Sequence, residues 1–480
     1  MSTGDGGGGT HDHRSAEFDL AVIGAGSAGF AAAIHASGLG ARVALIEGGV
    51  LGGTCVNVGC VPSKTLLRAA HAHHQRTYHG FDGVATATEL PDWCAIKSAK
   101  DELVSHLRTA KYESVLRAHH GIELIDQHGR LEREGVRLAD GRLLTAAQII
   151  IASGATPAAP AIPGLHSVAY LDSTSAMALE AIPESLVVIG GSAVGLELAQ
   201  MFFRLGVEVT ILEAQPTLLP SESAAVGRAL ADYLRSEGIS VHTGVRIGRV
   251  ESVADGARVV FTEGSVEHAV TGSQLLVATG RNPNTAGLNL VAAGVKLGSR
   301  GAVVVDEFLR TSRPDVFAAG DVTGGPMFVY VAAHAGTLAA ENALRGPQRR
   351  LDLSALPRVT FTDPAVASVG QSAADAESAG INVAISTLSL EHVPRALAAR
   401  DTRGFISLVA NADTRRIIGS QILAADAGEM IMEPALAIRF GLTIDDLVAT
   451  FHPYLTLSEG IKLAAQTFDR DVATLSCCAG

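Results

Sequence analysis

A glycine-rich turn between a strand pattern and a helix pattern occurs twice in this chain of 480 residues. The first copy is Gly24-Ala25-Gly26-Ser27-Ala28-Gly29, and the second is Gly190-Gly191-Ser192-Ala193-Val194-Gly195. An acidic residue, Glu47 or Glu213, ends the following strand pattern 23 residues after the first glycine of each copy. Such glycines let the backbone approach a pyrophosphate at a helix N-terminus, and the acid accepts hydrogen bonds from ribose hydroxyls. The sequence therefore predicts two dinucleotide sites, with electrons passing from one cofactor to the other.

Length and composition agree with an α/β protein of several domains. The chain exceeds the size at which a single core stops growing, and 47% apolar residues with 52 glycines suit strand-to-helix turns. The net charge of −12 disfavours nucleic acid and anionic membranes as partners. Residues 1–16 are polar and Gly-rich, without the features of a signal peptide, so we expect a disordered tail on a cytoplasmic protein.

Four of the five cysteines form two pairs, Cys55 with Cys60 and Cys477 with Cys478. A chain this poor in cysteine is not held together by disulfides, so the pairs indicate chemistry. In a regular helix Cys55 and Cys60 would be about 7.5 Å apart along the axis, near or beyond the ~7 Å Cα limit for a disulfide. If the two thiols are to bond, Gly59 and the β-branched residues around it have to distort the helix, and the resulting disulfide would be reducible. We therefore expect a redox-active pair in contact with a redox cofactor. The fifth, Cys94, follows the only tryptophan and is predicted to be a buried structural thiol.

The rest of the chain shows turns after apolar strands and then a change of pattern. Turns at Gly154 and at Gly280-Arg281 mark crossings between domains. The segment 316–322 has a strand pattern that ends in Gly320-Asp321, which could bring Asp321 to cofactor hydroxyls. From about Leu351 the pattern predicts strands 405–411 and 417–423 and a helix at about 428–440, typical of a separate α+β domain.

Several motifs together resemble the flavoprotein disulfide reductases over residues 18–470. They are the double fingerprint, Gly52-Gly53-Thr54-Cys55-x4-Cys60-x2-Ser63-Lys64, Ala278-Thr279-Gly280-Arg281-Asn282-Pro283, Ala319-Gly320-Asp321 and the closing α+β domain. The resemblance implies an α/β fold with two Rossmann-like dinucleotide-binding domains plus a C-terminal α+β dimerisation domain. It also implies FAD in the first fold, NADPH or NADH in the second, and a homodimer whose active site is shared between subunits.

The resemblance also divides the chain and assigns its cofactor residues. The implied segments are a disordered tail (1–16), an FAD-binding domain in two parts (17–155 and 280–350), an NAD(P)H-binding domain (156–279), a dimerisation domain (351–466) and a mobile Cys-Cys tail (467–480). The implied cofactor-binding residues are Gly24, Gly26, Ser27, Ala28, Gly29, Glu47, Gly53, Thr54, Lys64, Gly154, Gly190, Gly191, Gly195, Glu213, Gly280, Arg281 and Asp321.

The catalytic roles follow from the same resemblance. Cys60 is expected to lie against the flavin, and Cys55 is expected to be the exchanging thiol. Lys64 and Glu197 match the family's buried pair near the flavin. A cation there stabilises negative charge on the reduced ring, and the glutamate keeps the cation from being an unpaired buried charge.

The family's usual acid/base is a histidine five residues before a glutamate. Here Tyr454 lies five residues before Glu459, and His452 lies two positions earlier than that. An insertion of two residues would restore His452, but the ungapped register favours Tyr454. A tyrosine is poorly suited to protonating a departing thiolate, so this register predicts a substrate that is not a disulfide.

The second cysteine pair suggests that substrate. Adjacent thiolates at Cys477 and Cys478 are soft ligands for soft metals, and Hg(II) could pass from them to Cys55 and Cys60 before release as Hg(0). The tail 475–480, Tyr454 and the segments 393–397 and 401–405 resemble the branch of the family that reduces Hg(II). By that resemblance Tyr454 and Tyr112 contact the metal during transfer; ordinary helix packing is the alternative for Tyr112.

Three questions stay open at the level of sequence. Glu213 with no basic residue directly after it favours NADH, whereas the family generally uses NADPH. A thioredoxin- or glutathione-type reductase with a C-terminal redox pair is one alternative function. A non-catalytic protein that sequesters metal through its thiols is an alternative of another class.

Overall fold

A computed structural model describes residues 16–86 and 89–474 of the chain. The segment 1–15, which holds nearly all of the predicted N-terminal tail, lies outside the described residues, as do Cys477 and Cys478. The described residues form two compact units, one of residues 16–61, 101–156 and 281–351 and the other of the remainder.

The α-helices are numbered in chain order. They are α1 Ser27–Gly38, α2 Gly53–Val58, α3 Cys60–Thr77, α4 Trp93–Arg108, α5 Ser114–Ala118, α6 Ser173–Ala176, α7 Ala193–Arg204, α8 Ala224–Glu237, α9 Val329–Arg345, α10 Ala373–Ser378, α11 Pro394–Ala399, α12 Ala427–Met430, α13 Met432–Phe440, α14 Ile444–Ala449 and α15 Glu459–Gln466. A π-helical turn, Thr109–Glu113, joins α4 to α5.

The strands are numbered in the same way. They are β1 Phe18–Ile23, β2 Val43–Ile46, β3 Ile122–Ile125, β4 Gly129–Leu131, β5 Val136–Leu138, β6 Leu143–Leu144, β7 Ala146–Ile151, β8 Ala155–Pro157, β9 Ser185–Ile189, β10 Glu208–Glu213, β11 Ser240–Thr243, β12 Arg246–Val253, β13 Gly256–Glu263, β14 Val266–Gly272, β15 Gln274–Val277, β16 Arg281–Pro283, β17 Val316–Ala318, β18 Arg358–Thr360, β19 Ala365–Gly370, β20 Val383–Ser389, β21 Phe405–Asn411 and β22 Ile417–Ala424.

The first unit is built on a parallel sheet of order β17-β7-β1-β2-β3. Its central strand β1 is apolar along most of its length because both of its faces are covered, as is usual in parallel sheets. Ile23 at the end of β1 pairs with Ile46 of β2 and Ile151 of β7. The glycine turn therefore begins at the carboxyl end of the central strand, where ligands bind in such sheets.

The second unit contains a parallel sheet of order β11-β10-β9-β15 and two antiparallel sheets. In the first sheet the neighbouring strands are β3, β2, β1 and β7, and in the second they are β11, β10, β9 and β15. In each case the first strand of the repeat lies between the second and a later strand of the same unit. The sequence repeat is therefore also a repeat of sheet topology. The antiparallel sheet β18-β19-β22-β21-β20 carries helices α12 to α15 of the C-terminal region. These findings confirm the predicted α/β fold class with a closing α+β region.

The structure moves several predicted element boundaries. The alanine-rich sequence after the first glycine run predicts a helix from Phe30 to Ser37. The helix begins at Ser27 instead, because Gly26 adopts an extended conformation and serves as the N-cap inside the glycine run. The helix predicted for about 428–440 is two helices, α12 and α13, which meet at Ile431. Apolar periodicity alone did not reveal either detail.

In the described parts of the chain, none of the helices has the length and hydrophobicity needed to cross a bilayer.

Helix α1 packs against α9 through small residues. A side-chain carbon at Gly336 of α9 would overlap the carbonyl oxygen of Ala28 of α1, so the two backbones meet without an intervening side chain. Ala28 is itself buried, as are Ala32 and Ala335 nearby in sequence on the two helices. This close approach holds the N-terminus of α1 in place beside the glycine turn.

We predict that Gly336→Ala destabilises the protein by about 3 kcal/mol, because a methyl group has no space against the α1 backbone. Urea denaturation would measure the change. Gly38→Ala at the exposed end of α1 is the control, since nothing lies within 4 Å of the position of its added carbon. We expect it to change stability by at most about 1 kcal/mol; equal losses in the two variants would contradict the packing argument.

Candidate active site

The first glycine turn leaves no room for side chains. Gly24 has φ of +103°, and a side-chain carbon there would lie 2.5 Å from the carbonyl oxygen of Ala152. A side-chain carbon at Gly29 would overlap the carbonyl oxygen of Gly24, and one at Gly53 would lie 2.6 Å from the Cα of Gly26. The turn therefore exposes backbone, as a pyrophosphate site requires.

The acid that ends the second strand of each repeat binds the glycine turn through backbone groups. Glu47 accepts hydrogen bonds from the N–H of Ala25 at 2.7 Å and of Gly49 at 2.8 Å. In the second copy, Glu213 accepts from the N–H of Gly191 at 2.5 Å and of Gln215 at 2.6 Å.

Both carboxylates are held in the same way, one oxygen by the turn and the other by the residue two positions on. A carboxylate can accept about four hydrogen bonds. Each therefore keeps acceptor capacity for ribose hydroxyls.

The helices that follow the two turns begin without side-chain caps. Among the described residues, no side chain accepts a hydrogen bond as a cap at Gly26 of α1 or at Ser192 of α7. The first N–H groups of a helix need acceptors, and phosphate oxygens supply them. Gly195 lies close to Gly190, where a side-chain carbon would overlap a carbonyl oxygen. The donors, the open backbone and the acids fit FAD in the first unit and a nicotinamide dinucleotide in the second.

Asp321 begins a short 3₁₀ turn after Gly320. A side-chain carbon at Gly320 would lie 3.0 Å from the Cβ of Ala28, so this turn lies against the start of α1. Burial raises the pKa of Asp321, and the positive charge of Arg281 opposes the shift. Both residues were predicted to bind cofactor. Gly154 and Gly280, predicted for the same purpose, have φ of +72° and +117° and nothing within 4 Å of an added carbon.

The helix that would carry both thiols is broken between them. Helix α2 ends at Val58, Gly59 has φ of −126° and ψ of −109°, and α3 begins at Cys60. A side-chain carbon at Gly59 would lie 2.9 Å from the carbonyl oxygen of Thr54. The expected distortion at Gly59 is therefore present, and it takes the form of a complete helix break. Cys55 and Cys60 are both half-buried.

Asn57, in the middle of the thiol motif, was not singled out from the sequence. Its amide donates to the carbonyl oxygens of Leu51 and Gly53, at 3.0 and 2.9 Å, and its oxygen accepts from Arg108 at 3.2 Å. These bonds tie the short helix α2 to its own first turn and to the end of α4. An asparagine between two cysteines was the available signal, but only the fold shows its partners.

Tyr112 lies in the π-helical turn, within electrostatic reach of both thiols. Burial raises its pKa, the charge of Cys55 raises it further, a hydrogen bond with Ser27 opposes the shift, and Cys60 adds a smaller increase. The ring packs on Phe30 with centroids 4.6 Å apart. Single π-helical turns are frequent at functional sites. The raised pKa keeps the phenol neutral within electrostatic reach of the thiol pair.

Lys64 and Glu197 form an ion pair in the second unit. Lys64 Nζ lies 2.7 Å from Glu197 Oε2, and the side chains are 34% and 6% exposed respectively. The other carboxylate oxygen accepts the backbone N–H of Phe361 at 2.9 Å. The predicted pair is therefore formed, and Phe361 is a member of the cluster that the sequence did not indicate.

His452 and Tyr454 differ sharply in their surroundings. His452 Nε2 lies 2.7 Å from Glu433 Oε1, and the side chain is only 4% exposed. Tyr454 is 52% exposed. Glu459 is buried and accepts the backbone N–H of Leu455 at 3.3 Å. His452 is thus engaged with Glu433, whereas Tyr454 is presented at the surface.

One prediction about the cysteines is wrong, and the predicted metal site lies only partly within the described residues. The prediction that Cys94 is a buried structural thiol is wrong: Cys94 is exposed, because α4 directs Trp93 rather than Cys94 into the core. Within residues 16–86 and 89–474, no three His, Cys, Asp or Glu side chains are grouped so as to hold a metal ion. The predicted metal site also includes Cys477 and Cys478, which lie outside the described residues.

Family comparisons agree with the geometry. The model described as "Pyridine nucleotide-disulphide oxidoreductase" matches residues 18–336, and the dimerisation-domain model of the same family matches residues 356–465. The chain belongs to the pyridine nucleotide-disulphide oxidoreductase family. The relationship predicted from the motifs is confirmed, and so is a C-terminal region of the dimerisation type.

Members of this family resemble the chain over nearly its whole length. It is 49% identical to a mercuric reductase of Streptomyces lividans over 96% of this chain and 98% of that protein. It is 44% identical to a mercuric reductase of Staphylococcus aureus, covering 98% of this chain and 85% of the relative. Among solved structures, the Cu(II) complex of the HOCl-induced flavoprotein disulfide reductase RclA from Escherichia coli has a TM-score of 0.83 at 30% identity, covering 94% and 99% of the two chains.

The contact between His452 and Glu433 predicts a pH effect on stability. The hydrogen bond with Glu433 raises the pKa of His452 above its ordinary value of 6.5. The folded protein then holds this proton more tightly than the unfolded chain does, so the stabilisation is complete below about pH 6.5 and is lost as the pH rises through the raised value.

We expect the free energy of unfolding of the wild type to fall more steeply across that window than that of Glu433→Gln, which keeps a hydrogen-bond acceptor without the charge. Urea denaturation at a series of pH values, with protein and FAD concentrations fixed, would measure both slopes. Parallel slopes would contradict the assignment.

Proposed function

We propose that this protein reduces Hg(II) to Hg(0) with electrons from NADPH or NADH, by way of FAD. The observation that carries the proposal is the match to mercuric reductases over nearly the whole of this chain, which extends over 98% of the Streptomyces lividans protein. The half-buried thiol pair at the helix break supports it, because thiolates are the ligands that soft metal ions prefer.

The residues that would hold the cofactors fall into two sets. FAD would be bound by the first glycine turn, Glu47, Gly53, Thr54, Gly154, Asp321 and Arg281, in the domain formed by 17–155 and 280–350. NAD(P)H would be bound by Gly190, Gly191, Gly195 and Glu213, in the domain 156–279, and by Gly280 directly after that domain. When bound, FAD would supply the chemistry that carries two electrons from the nicotinamide towards the thiols.

The residues of the chain would have separate roles in handling the metal. Cys55 and Cys60 would bind Hg(II) as thiolates, with Cys55 as the exchanging thiol and Cys60 on the flavin side. Tyr112, whose pKa is raised by burial and by the charge of Cys55, would contact the ion as a neutral phenol. Lys64, paired with Glu197, would stabilise negative charge on the cofactor.

We further propose a homodimer in which each C-terminal tail serves the active site of the other subunit. Met432, Leu436 and Phe440 form an exposed apolar stripe along α13, within the region matched by the dimerisation-domain model. Such a stripe suits burial against a second copy. In this arrangement Cys477 and Cys478 would bring Hg(II) to the site, and the exposed Tyr454 would contact it.

The assignment of Tyr454 explains how the site could work without a histidine acid. Reducing a thiol-bound metal ion leaves no departing substrate thiol to protonate, so an acid near neutral pKa is not needed. The His452 side chain is only 4% exposed and lies 2.7 Å from Glu433, which supports this interpretation. The activity also needs reduced thiols, a condition met in the cytoplasm, where we propose that the protein acts.

We predict that Hg(II), and not a disulfide, stimulates NAD(P)H oxidation by the flavin-loaded protein in excess thiol. Cys55→Ala and Cys60→Ala should each lower this rate about a thousandfold or more, because each removes a ligand and an electron carrier. Cys94→Ala is the matched control and should keep the wild-type rate, since Cys94 is exposed on another helix. The assay follows absorbance of the nicotinamide and volatile mercury.

Other outcomes would identify the alternatives. Stimulation by disulfides without stimulation by Hg(II) would assign a thioredoxin- or glutathione-type reductase. Mercury binding by a protein that purifies without flavin absorbance would indicate metal sequestration.

Glu213 supports NADH as the preferred reductant. Its buried carboxylate is fixed by the N–H groups of Gly191 and Gln215, where it would accept bonds from a 2′-hydroxyl and repel a 2′-phosphate. We predict a higher kcat/KM for NADH than for NADPH. The double variant Glu213→Gln/Ala214→Arg should move the ratio towards NADPH about tenfold or more.

Ala214→Arg alone is the control, because it adds the cation at an exposed position and leaves the carboxylate in place. An unchanged ratio in the double variant would show that Glu213 does not select the reductant.

A further inference from the structure

Lys64 has a second neighbour besides Glu197. Its ammonium lies 4.6 Å from the centre of the Phe361 ring, within the range of a cation–π interaction. Phe361 also donates its backbone N–H to the same carboxylate that binds Lys64. One residue therefore contacts both members of the ion pair, the cation through its ring and the anion through its backbone.

The segment that follows Phe361 is fixed to helix α7, which carries Glu197. Gln200, one turn further along α7, accepts the backbone N–H of Asp363 at 2.8 Å. The amide nitrogen of Gln200 donates to the carbonyl oxygen of Asp363 at 2.8 Å. Because Gln200 is buried and binds both backbone groups of one residue, the segment has little freedom to move along the helix.

The side chain of Asp363 is the second anchor of the segment. Its carboxylate lies 2.9 Å from Arg204 on α7 and 3.0 Å from both His71 on α3 and Arg403. Burial alone would raise the pKa of Asp363. The hydrogen bond with His71 and the charges of Arg204 and Arg403 outweigh burial, and they hold the pKa far below its usual range. Asp363 therefore stays ionised and keeps the segment attached.

The cluster contains one more histidine, which stays neutral. Burial, followed by the charge of Arg204, lowers the pKa of His74 to about 4, although Glu237 and Asp363 oppose the shift. Arg204 also forms an ion pair with Glu237, at 2.5 Å. Each charge around Asp363 thus has an opposite charge in contact with it. The charges of the cluster are therefore compensated by one another and not by solvent.

We propose that Phe361 is a positioning residue that holds the Lys64 ammonium against Glu197. Lys64 needs such help because its long side chain is 34% exposed and a single ion pair at that exposure is weak. The ring of Phe361 covers the ammonium on one side, and its N–H fixes the carboxylate. The proposal rests on the function proposed above only where it concerns the flavin.

The contact itself can be tested by the reactivity of Lys64 in the flavin-loaded enzyme. An acylating reagent attacks the neutral amine, so interactions that favour the ammonium slow its labelling. We expect trace acetylation of Lys64, followed by peptide mass spectrometry, to be about two- to fivefold faster in Phe361→Leu than in the wild type. Phe361→Tyr keeps the ring and should restore a rate close to that of the wild type.

A second replacement separates the ring's charge distribution from its bulk. Pentafluorophenylalanine at position 361 keeps the shape of the ring but removes the negative character of its face. It should speed labelling as Phe361→Leu does. If Lys64 is acetylated at the wild-type rate in both Phe361→Leu and the fluorinated protein, and the unfolding transitions are unchanged, the proposal is overturned. If only Phe361→Leu speeds acetylation, the ring protects Lys64 by its bulk and not by its charge distribution, and this result would also overturn the proposal.

The flavin midpoint potential connects the contact to the reaction. If the ammonium stabilises the reduced flavin, Phe361→Leu should lower the potential and kcat while changing KM for the nicotinamide little, and Phe361→Tyr should restore both. Faster labelling with an unchanged potential would uphold the Phe361 contact and contradict the role proposed for Lys64. The two ideas can therefore fail separately.

Discussion

The buried carboxylate of Glu197 joins segments that are far apart in the chain. It binds Lys64, 133 residues earlier, and the backbone of Phe361, 164 residues later. An ionised carboxylate at 6% exposure is costly unless its oxygens are satisfied, and here one oxygen has a cation and the other an N–H. The positions of α3, α7 and the segment before β19 are therefore coupled through a single side chain.

Helix α7 extends this coupling along its length. Glu197, Gln200 and Arg204 recur at intervals of three and four residues, so they lie on one face of the helix. All three contact the segment 361–363, through its first N–H, the backbone of Asp363 and the Asp363 carboxylate. The same helix begins at the second glycine turn. One element thus links the nucleotide-binding turn to the charged cluster, and a rigid helix transmits position between them.

Local patterns predicted much of the fold and part of the site. The glycine spacing and apolar strands predicted both nucleotide-binding sheets, because tight turns and buried parallel strands depend on nearby residues. The separation of Cys55 from Cys60 predicted a distortion at Gly59, because helix geometry is also local. The pair formed by Lys64 and Glu197 was reached only through family resemblance. Asn57 and Phe361 were missed, because neither residue type indicates from the sequence which group it contacts.

What the sequence determined by itself was the duplicated nucleotide fold, the interrupted helix at the thiols and the family. Each depends on spacing within a few tens of residues. Tertiary structure alone decided that His452 turns to Glu433, that Cys94 faces solvent, and that Tyr112 lies near both thiols. These outcomes depend on which surfaces pack together and which charges burial leaves in need of a partner. The energies of packing and of burying a charge depend on residues that are far away in the chain, so no local sequence pattern predicts these outcomes.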